Sequence, residues 1–204
     1  MTKIPLTMTE HETVIATTRR VQKDVLTCYR LIEQHYRTKR GGPKFLRLIQ
    51  EAVLIEYPYL WTKMGDMFYR DHKREHNPYD LYRGEVPHPN SFNIPTKPGM
   101  SFEAHTHVGY LLSCAYNELT QVWVLIANRY PRTGPNKVGV IKQLGKVLHL
   151  IEQTSWQLDN ALWKEHGAVI PDYTIKHIYS GGYDYKDPVP DTVQQQIDNY
   201  EAPL

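Results

Sequence analysis

Two cysteines, Cys28 and Cys114, stand in a chain of 204 residues, too few for a disulfide framework. Both fall inside apolar periodic segments, so core thiols in a reducing, cytoplasmic setting are expected. Long hydrophobic runs are missing too. No stretch approaches the roughly 18 apolar residues of a membrane span, and MTKIPLTMTE lacks the apolar centre of a secretory leader, so no membrane association is expected. Neither G-x-x-x-x-G-K-[ST] nor G-x-S-x-G occurs, which removes the common signals for nucleotide hydrolysis and for a serine nucleophile. Excess charge of one sign is also absent. With 24 Lys and Arg against 22 Asp and Glu, the net charge is +2, and any electrostatic role must be local.

Hydrophobic residues at 41% and charged residues at 23% are enough for a core and too balanced for wholesale disorder. Val14, Thr18, Val21, Val25, Cys28, Ile32 and His35 recur at steps of three and four, one helical stripe to about Thr38. Thr9 and Glu12 have the spacing of a capping box at its start. Gly41-Gly42-Pro43 ends that helix and restarts the chain. Phe45, Leu48, Ile49, Ala52, Val53 and Glu56 carry the next stripe. Tyr57-Pro58 predicts a kink or short break, beyond which Leu60, Trp61, Met64, Met67, Phe68 and His72 continue to about residue 76. Two further stripes, near 104–130 and 139–166, are marked by Val108, Leu111, Leu112, Ala115, Leu119, Val122 and Ile126, and by Ile141, Leu144, Leu148, Ile151, Leu158 and Leu162. Lys164, His166 and Gly167 close the last of these as a cationic final turn with a glycine cap.

Four such stripes bury their apolar faces only against one another, so the expected fold is all-α, an up-and-down helical bundle over residues 1–167. A long Pro-rich connection, 77–103, interrupts it. A Tyr-rich appendage, 168–204, is read as a hairpin around Ser180-Gly181-Gly182 followed by a short helix.

The most distinctive local feature is the helix–helix corner. Arg37, Lys39, Arg40, Lys44 and Arg47 follow one another with no acid between Glu33 and Glu51. Glycines here lead into a helix start, whose free amides and positive dipole end favour an anion. Residues 1–85 carry 15 basic and 11 acidic side chains, +4, against 9 and 11, −2, for 86–204. Tyr36 beside Arg37 also offers a ring for base stacking. The corner, Tyr36, Arg37, Lys39, Arg40, Lys44 and Arg47, is therefore the expected contact for nucleic acid, RNA foremost, or another polyanion. A solvated turn with flanking cations gives the same pattern.

Two alternatives carry chemistry. Glu103-Ala-His105-Thr-His107, preceded by Gly99, resembles the opening of the cupin pattern, in which two imidazoles on a strand face a metal. Here the acidic ligand of that pattern is missing and a helical stripe follows. On a helix His105 and His107 diverge by about 200° and do not share an ion. Arg70-Asp71-x4-His76 resembles the Arg-x(4–6)-His motif of the helical HEPN ribonucleases, which implies an arginine on the scissile phosphate and a histidine moving protons. Composition alone supplies about two such spacings in this chain. A regular helix through His76 sets the pair about 240° apart. The sequence thus favours a non-enzymatic helical binding protein without a cofactor, within a larger assembly or a homo-oligomer. A HEPN-like ribonuclease, or a protein–protein adaptor docking through 77–102 or the tail, is the alternative.

Overall fold

The computed structural model describes residues 5–38, 41–73, 99–130, 139–168 and 178–179. It is an all-α helical bundle: α1 (Met8–Tyr36), α2 (Lys44–Glu51), α3 (Tyr57–His72), α4 (Phe102–Arg129) and α5 (Gly139–His166), with α2 and α3 joined into one rod by a π-helical turn, Ala52–Glu56. The Pro-rich stretch 74–98 and the hairpin and short helix expected of 168–204 lie outside the described residues, apart from Ala168, Ile178 and Tyr179.

Local chemistry sets the ends of these rods. The capping box sits two residues before the expected Thr9–Glu12 pair. Thr7 caps α1, its hydroxyl accepting from the Glu10 amide while Glu10 accepts from the Thr7 amide. T-x-x-E occurs twice in overlap here. The earlier copy buries Leu6 to 1% exposure and lets Arg129 pair with Glu10. At the other end Thr38 and Gly41 exchange backbone hydrogen bonds of 2.7 and 3.0 Å, and Gly41 takes φ +104°, a region glycine enters without steric cost. Helix α3 stops at His72 rather than running to 76, because Lys73 turns into the left-handed region at φ 52°. At Pro58 the chain widens by one residue instead of breaking. The missing amide and the ring's clash with the preceding turn are absorbed by the π turn. Gln143 of α5 donates to the Glu56 carbonyl at 3.0 Å and to its carboxylate. The same widening leaves Leu54 and Ile55 exposed on the outside.

The expected stripes form the core. Val21, Val25, Cys28, Ile32, Ile49, Leu60, Leu112, Leu119, Ile126, Leu144, Ile151 and Leu158 are all at 0% exposure. Burial holds the Cys28 thiol well above its ordinary pKa, so it is protonated and inert. Helix α1 packs on α4 and α2; α5 packs on α4 and on the α2–α3 rod. Tyr36, His105 and Glu165 gather at one end of the bundle, and His11, Asp71 and Tyr130 at the other. Touching rods therefore alternate in direction around the bundle. Along the chain the order is up, down, down, up, since α3 finishes at the end where α1 begins and α4 starts at the opposite one.

Two expectations follow from the packing. Tyr57 is fully buried and its hydroxyl has no partner among the described residues. Tyr57→Phe is expected to raise stability by about 1 kcal/mol in urea unfolding, since a buried unsatisfied hydroxyl is a net cost; a loss of similar size would show that the hydroxyl is hydrogen-bonded. Gly109, inside α4, has the Ile178 carbonyl and side chain where a Cβ would stand. Although alanine favours helix by about 1 kcal/mol, Gly109→Ala should displace Ile178, read as faster limited proteolysis between residues 168 and 178.

Candidate functional site

The end of α1, the start of α2, the first turn of α4 and the last turn of α5 meet around one side chain, His105. Ser101 caps α4, its hydroxyl accepting from the Ala104 amide at 3.2 Å, and so fixes His105 in the first turn. The ring is completely buried. Its Nδ1 lies 2.7 Å from the Tyr179 hydroxyl and its Nε2 lies 3.1 Å from Glu165 Oε2 and 3.2 Å from the Tyr36 hydroxyl. The partners define one self-consistent tautomer: Nε2–H donates to the carboxylate and Nδ1 accepts from Tyr179.

Glu165 is the hub. Tyr36 donates to its two oxygens at 2.8 and 2.9 Å, and the Met100 amide donates to Oε2 at 3.1 Å. His166, next in the chain, bonds the Met100 carbonyl through Nε2 at 2.9 Å. The Gly99 amide donates to the His35 carbonyl at 3.2 Å. The strand of chain entering α4 is thus latched to both α1 and α5. His105, Glu165 and His166 each bring one ligand-type atom within 4.8 Å of the other two.

Electrostatics follow from this burial. Desolvation drives the His105 pKa down to about 4, with Glu165 opposing the shift only in part. Desolvation first, then the hydrogen bond to Glu165, pushes the Tyr36 phenol far above its ordinary value, and burial does the same to Tyr179. At neutral pH the cluster holds a neutral imidazole and two phenols.

Outside this cluster lies a pocket of about 470 Å³. It is bounded by Tyr36 and Glu165 on the inner side and by Thr38, Gly41, Gly42, Pro43 and Lys44 at the corner, with Asn160 and Lys164 of α5 opposite. The basic corner and the buried cluster are two sides of one feature.

The structure distributes the expected corner residues unevenly. Lys44 lines the pocket, and Arg47 is exposed one turn further along α2. Arg37 pairs with Glu33 at 2.5 Å within α1. Tyr36 is 4% exposed and committed to Glu165 and His105, so its ring is not open to a base. Lys39 and Arg40 lie outside the described residues. Lys164, read from the sequence only as a helix-end cation, belongs with Lys44.

The metal alternative changes partners. His105 and His107 are both buried on α4, but the helix separates them and His105 meets Glu165 and His166 instead. Glu165 and His166 escaped the sequence reading because their only local signal is that of a helix C-terminus. Of the ribonuclease pair, Arg70 lies in the last turn of α3 and His76 is outside the described residues. Asp71 turns inward: its carboxylate lies 3.3 Å from His11 Nε2 and accepts from Tyr130. That buried triad closes the far end of the bundle. Of the expected protein-docking segments, 77–102 and the tail 168–204, only residues 99–102, 168, Ile178 and Tyr179 are among the described residues. No described helix is long and apolar enough to cross a membrane.

Compared with protein-family models, with curated proteins and with solved structures, the chain gives no match.

His105 makes the fold acid-sensitive. Its folded pKa, about 4, lies below the ordinary 6.5, so between these values protons bind the unfolded chain preferentially. Stability should be level above about pH 7 and fall as pH drops through 6.5 toward 4, by about 2 kcal/mol between pH 7 and 5. His11, depressed chiefly by burial, adds in the same direction. Urea midpoints of His105→Gln, although lower at pH 7, should change less over this range; a slope equal to wild type would remove His105 as the source.

Proposed function

We propose that this chain is a non-enzymatic helical binding protein that takes a phosphate-bearing polymer, RNA in the first instance, at the corner between α1 and α2. The observation that carries the reading is the roughly 470 Å³ pocket lined by Lys44, the first residue of α2, and by Lys164 of α5. No side chain caps α2. The positive end of its dipole therefore adds to the two ammonium groups at the place where a phosphate would sit. Two lysines stand against the one carboxylate of this pocket, Glu165, which Tyr36 and the Met100 amide bind from within. Arg47, exposed one turn further along α2, extends the positive surface beyond the pocket. Two lysines at a pocket and an arginine beside it contact backbone phosphates, not bases, so sequence-independent binding with strong salt dependence is the natural outcome.

A fluorescently labelled single-stranded RNA titrated at several salt concentrations tests this. Lys44→Ala, Arg47→Ala and Lys164→Ala together are expected to weaken binding tenfold or more and to flatten the salt slope. The exposed pair Arg19→Ala and Lys142→Ala, on other faces, should change affinity less than twofold. Equal losses from the two sets would reduce the effect to bulk charge, and absence of a salt slope would overturn phosphate contact altogether.

A further inference from the structure

We propose that His105, Glu165 and His166 form a binding site for a divalent transition-metal ion of the zinc class. The inference is independent of RNA binding and rests on the donor set, its spacing and its supports.

Two imidazoles and one carboxylate are the donors that zinc-class ions take in sites with three protein ligands, whereas magnesium and calcium favour oxygen. His105 Nε2 and Glu165 Oε2 stand 3.1 Å apart. Two ligands at about 2.1 Å on a tetrahedral centre are separated by about 3.4 Å. An ion therefore enters by replacing the proton between these atoms, with a shift of a few tenths of an ångström. His166 supplies the third ligand from within 4.8 Å. Its hydrogen bond from Nε2 to the Met100 carbonyl leaves Nδ1 with its lone pair in the neutral ring.

Each donor is also held from behind, as ligands of bound metals are. With the ion on Nε2, the His105 proton moves to Nδ1, facing the Tyr179 hydroxyl at 2.7 Å. Tyr36 and the Met100 amide fix the carboxylate, and Met100 itself is 3% exposed. The ligands come from two rigid helices, α4 and α5, near their ends. Glu165, whose side chain is 24% exposed, also lines the pocket, which gives the ion a path from solvent and a fourth position for water. One carboxylate against a dication leaves the site with a residual positive charge.

Full-length protein stripped with a chelator and dialysed free of it is titrated with Zn²⁺ by calorimetry and with Co²⁺ by visible absorption. The expected result is one equivalent bound, with the intense ligand-field bands of a four-coordinate Co²⁺ centre. Glu165→Gln and His166→Asn should each weaken binding a hundredfold or more. His166 is only half-buried at the helix end, so its variant should keep the wild-type circular dichroism even if the Glu165 variant unfolds. His149→Ala, at an exposed histidine elsewhere on α5, should bind as wild type does. Absence of saturable stoichiometric uptake by the wild type, or uptake by folded His166→Asn equal to wild type, would overturn the proposal.

Discussion

A neutral imidazole at the centre of a bundle needs a donor on one nitrogen and an acceptor on the other, and His105 obtains them from two distant parts of the chain. Glu165 takes the proton of Nε2 and Tyr179 serves Nδ1. That requirement organises one end of the molecule. It draws the close of α5 against the start of α4, turns Tyr36 inward from the last turn of α1, and provides the Met100 amide with an acceptor. Without the carboxylate, the Tyr36 phenol, the His105 imidazole and the Met100 amide would lose a partner in a poorly hydrated place, where each unmet group costs about 1–3 kcal/mol. The opposite end has a parallel arrangement, in which Asp71 satisfies His11 and Tyr130. Apolar stripes hold the rods together; these two carboxylates fix how the rods are aligned along their length.

The corner between α1 and α2 shows how one short segment serves two environments. Tyr36 faces the interior while its neighbour Arg37 pairs along the surface of α1 with Glu33. After the Gly41 turn, Phe45 and Leu46 return to the core and Lys44 and Arg47 stay outside. Alternation between apolar anchors and cations keeps the positive charge of Lys44 and Arg47 at a fixed position on a rigid frame.

The helices were readable because a 3.6-residue period is local information, and residues such as Val21, Val25, Cys28 and Ile32 repeat it without interruption. Boundaries were less so. T-x-x-E at 7–10 and 9–12 is locally degenerate, and only the burial of Leu6 decides between them. The left-handed turn at Lys73 carries no glycine to announce it. The corner was legible as a cluster of charge, but the inward turn of Tyr36 was not, since its partner Glu165 is 129 residues away. His105 drew notice through its neighbour His107, a pairing that helix geometry forbids; its real partners are 60 and 74 residues distant. Periodicity reports which face of a helix is buried and is silent about what it is buried against.

The direction of the rods has a further consequence. Helix α1 with the α2–α3 rod forms one helical hairpin, and α4 with α5 forms another; the first finishes at His72 at one end of the bundle and the second opens at Phe102 at the opposite one. The described contacts between the halves are noncovalent and lie mostly in the helices, with the Gly99 amide on the His35 carbonyl and the Leu6 amide on the Tyr130 hydroxyl beside them. If the backbone were severed between the two hairpins, these are the contacts that would have to hold them as a heterodimer. A covalent link between two such partners supplies effective concentration. The described helices before residue 74 and those after residue 98 thus meet as two partners within one polypeptide.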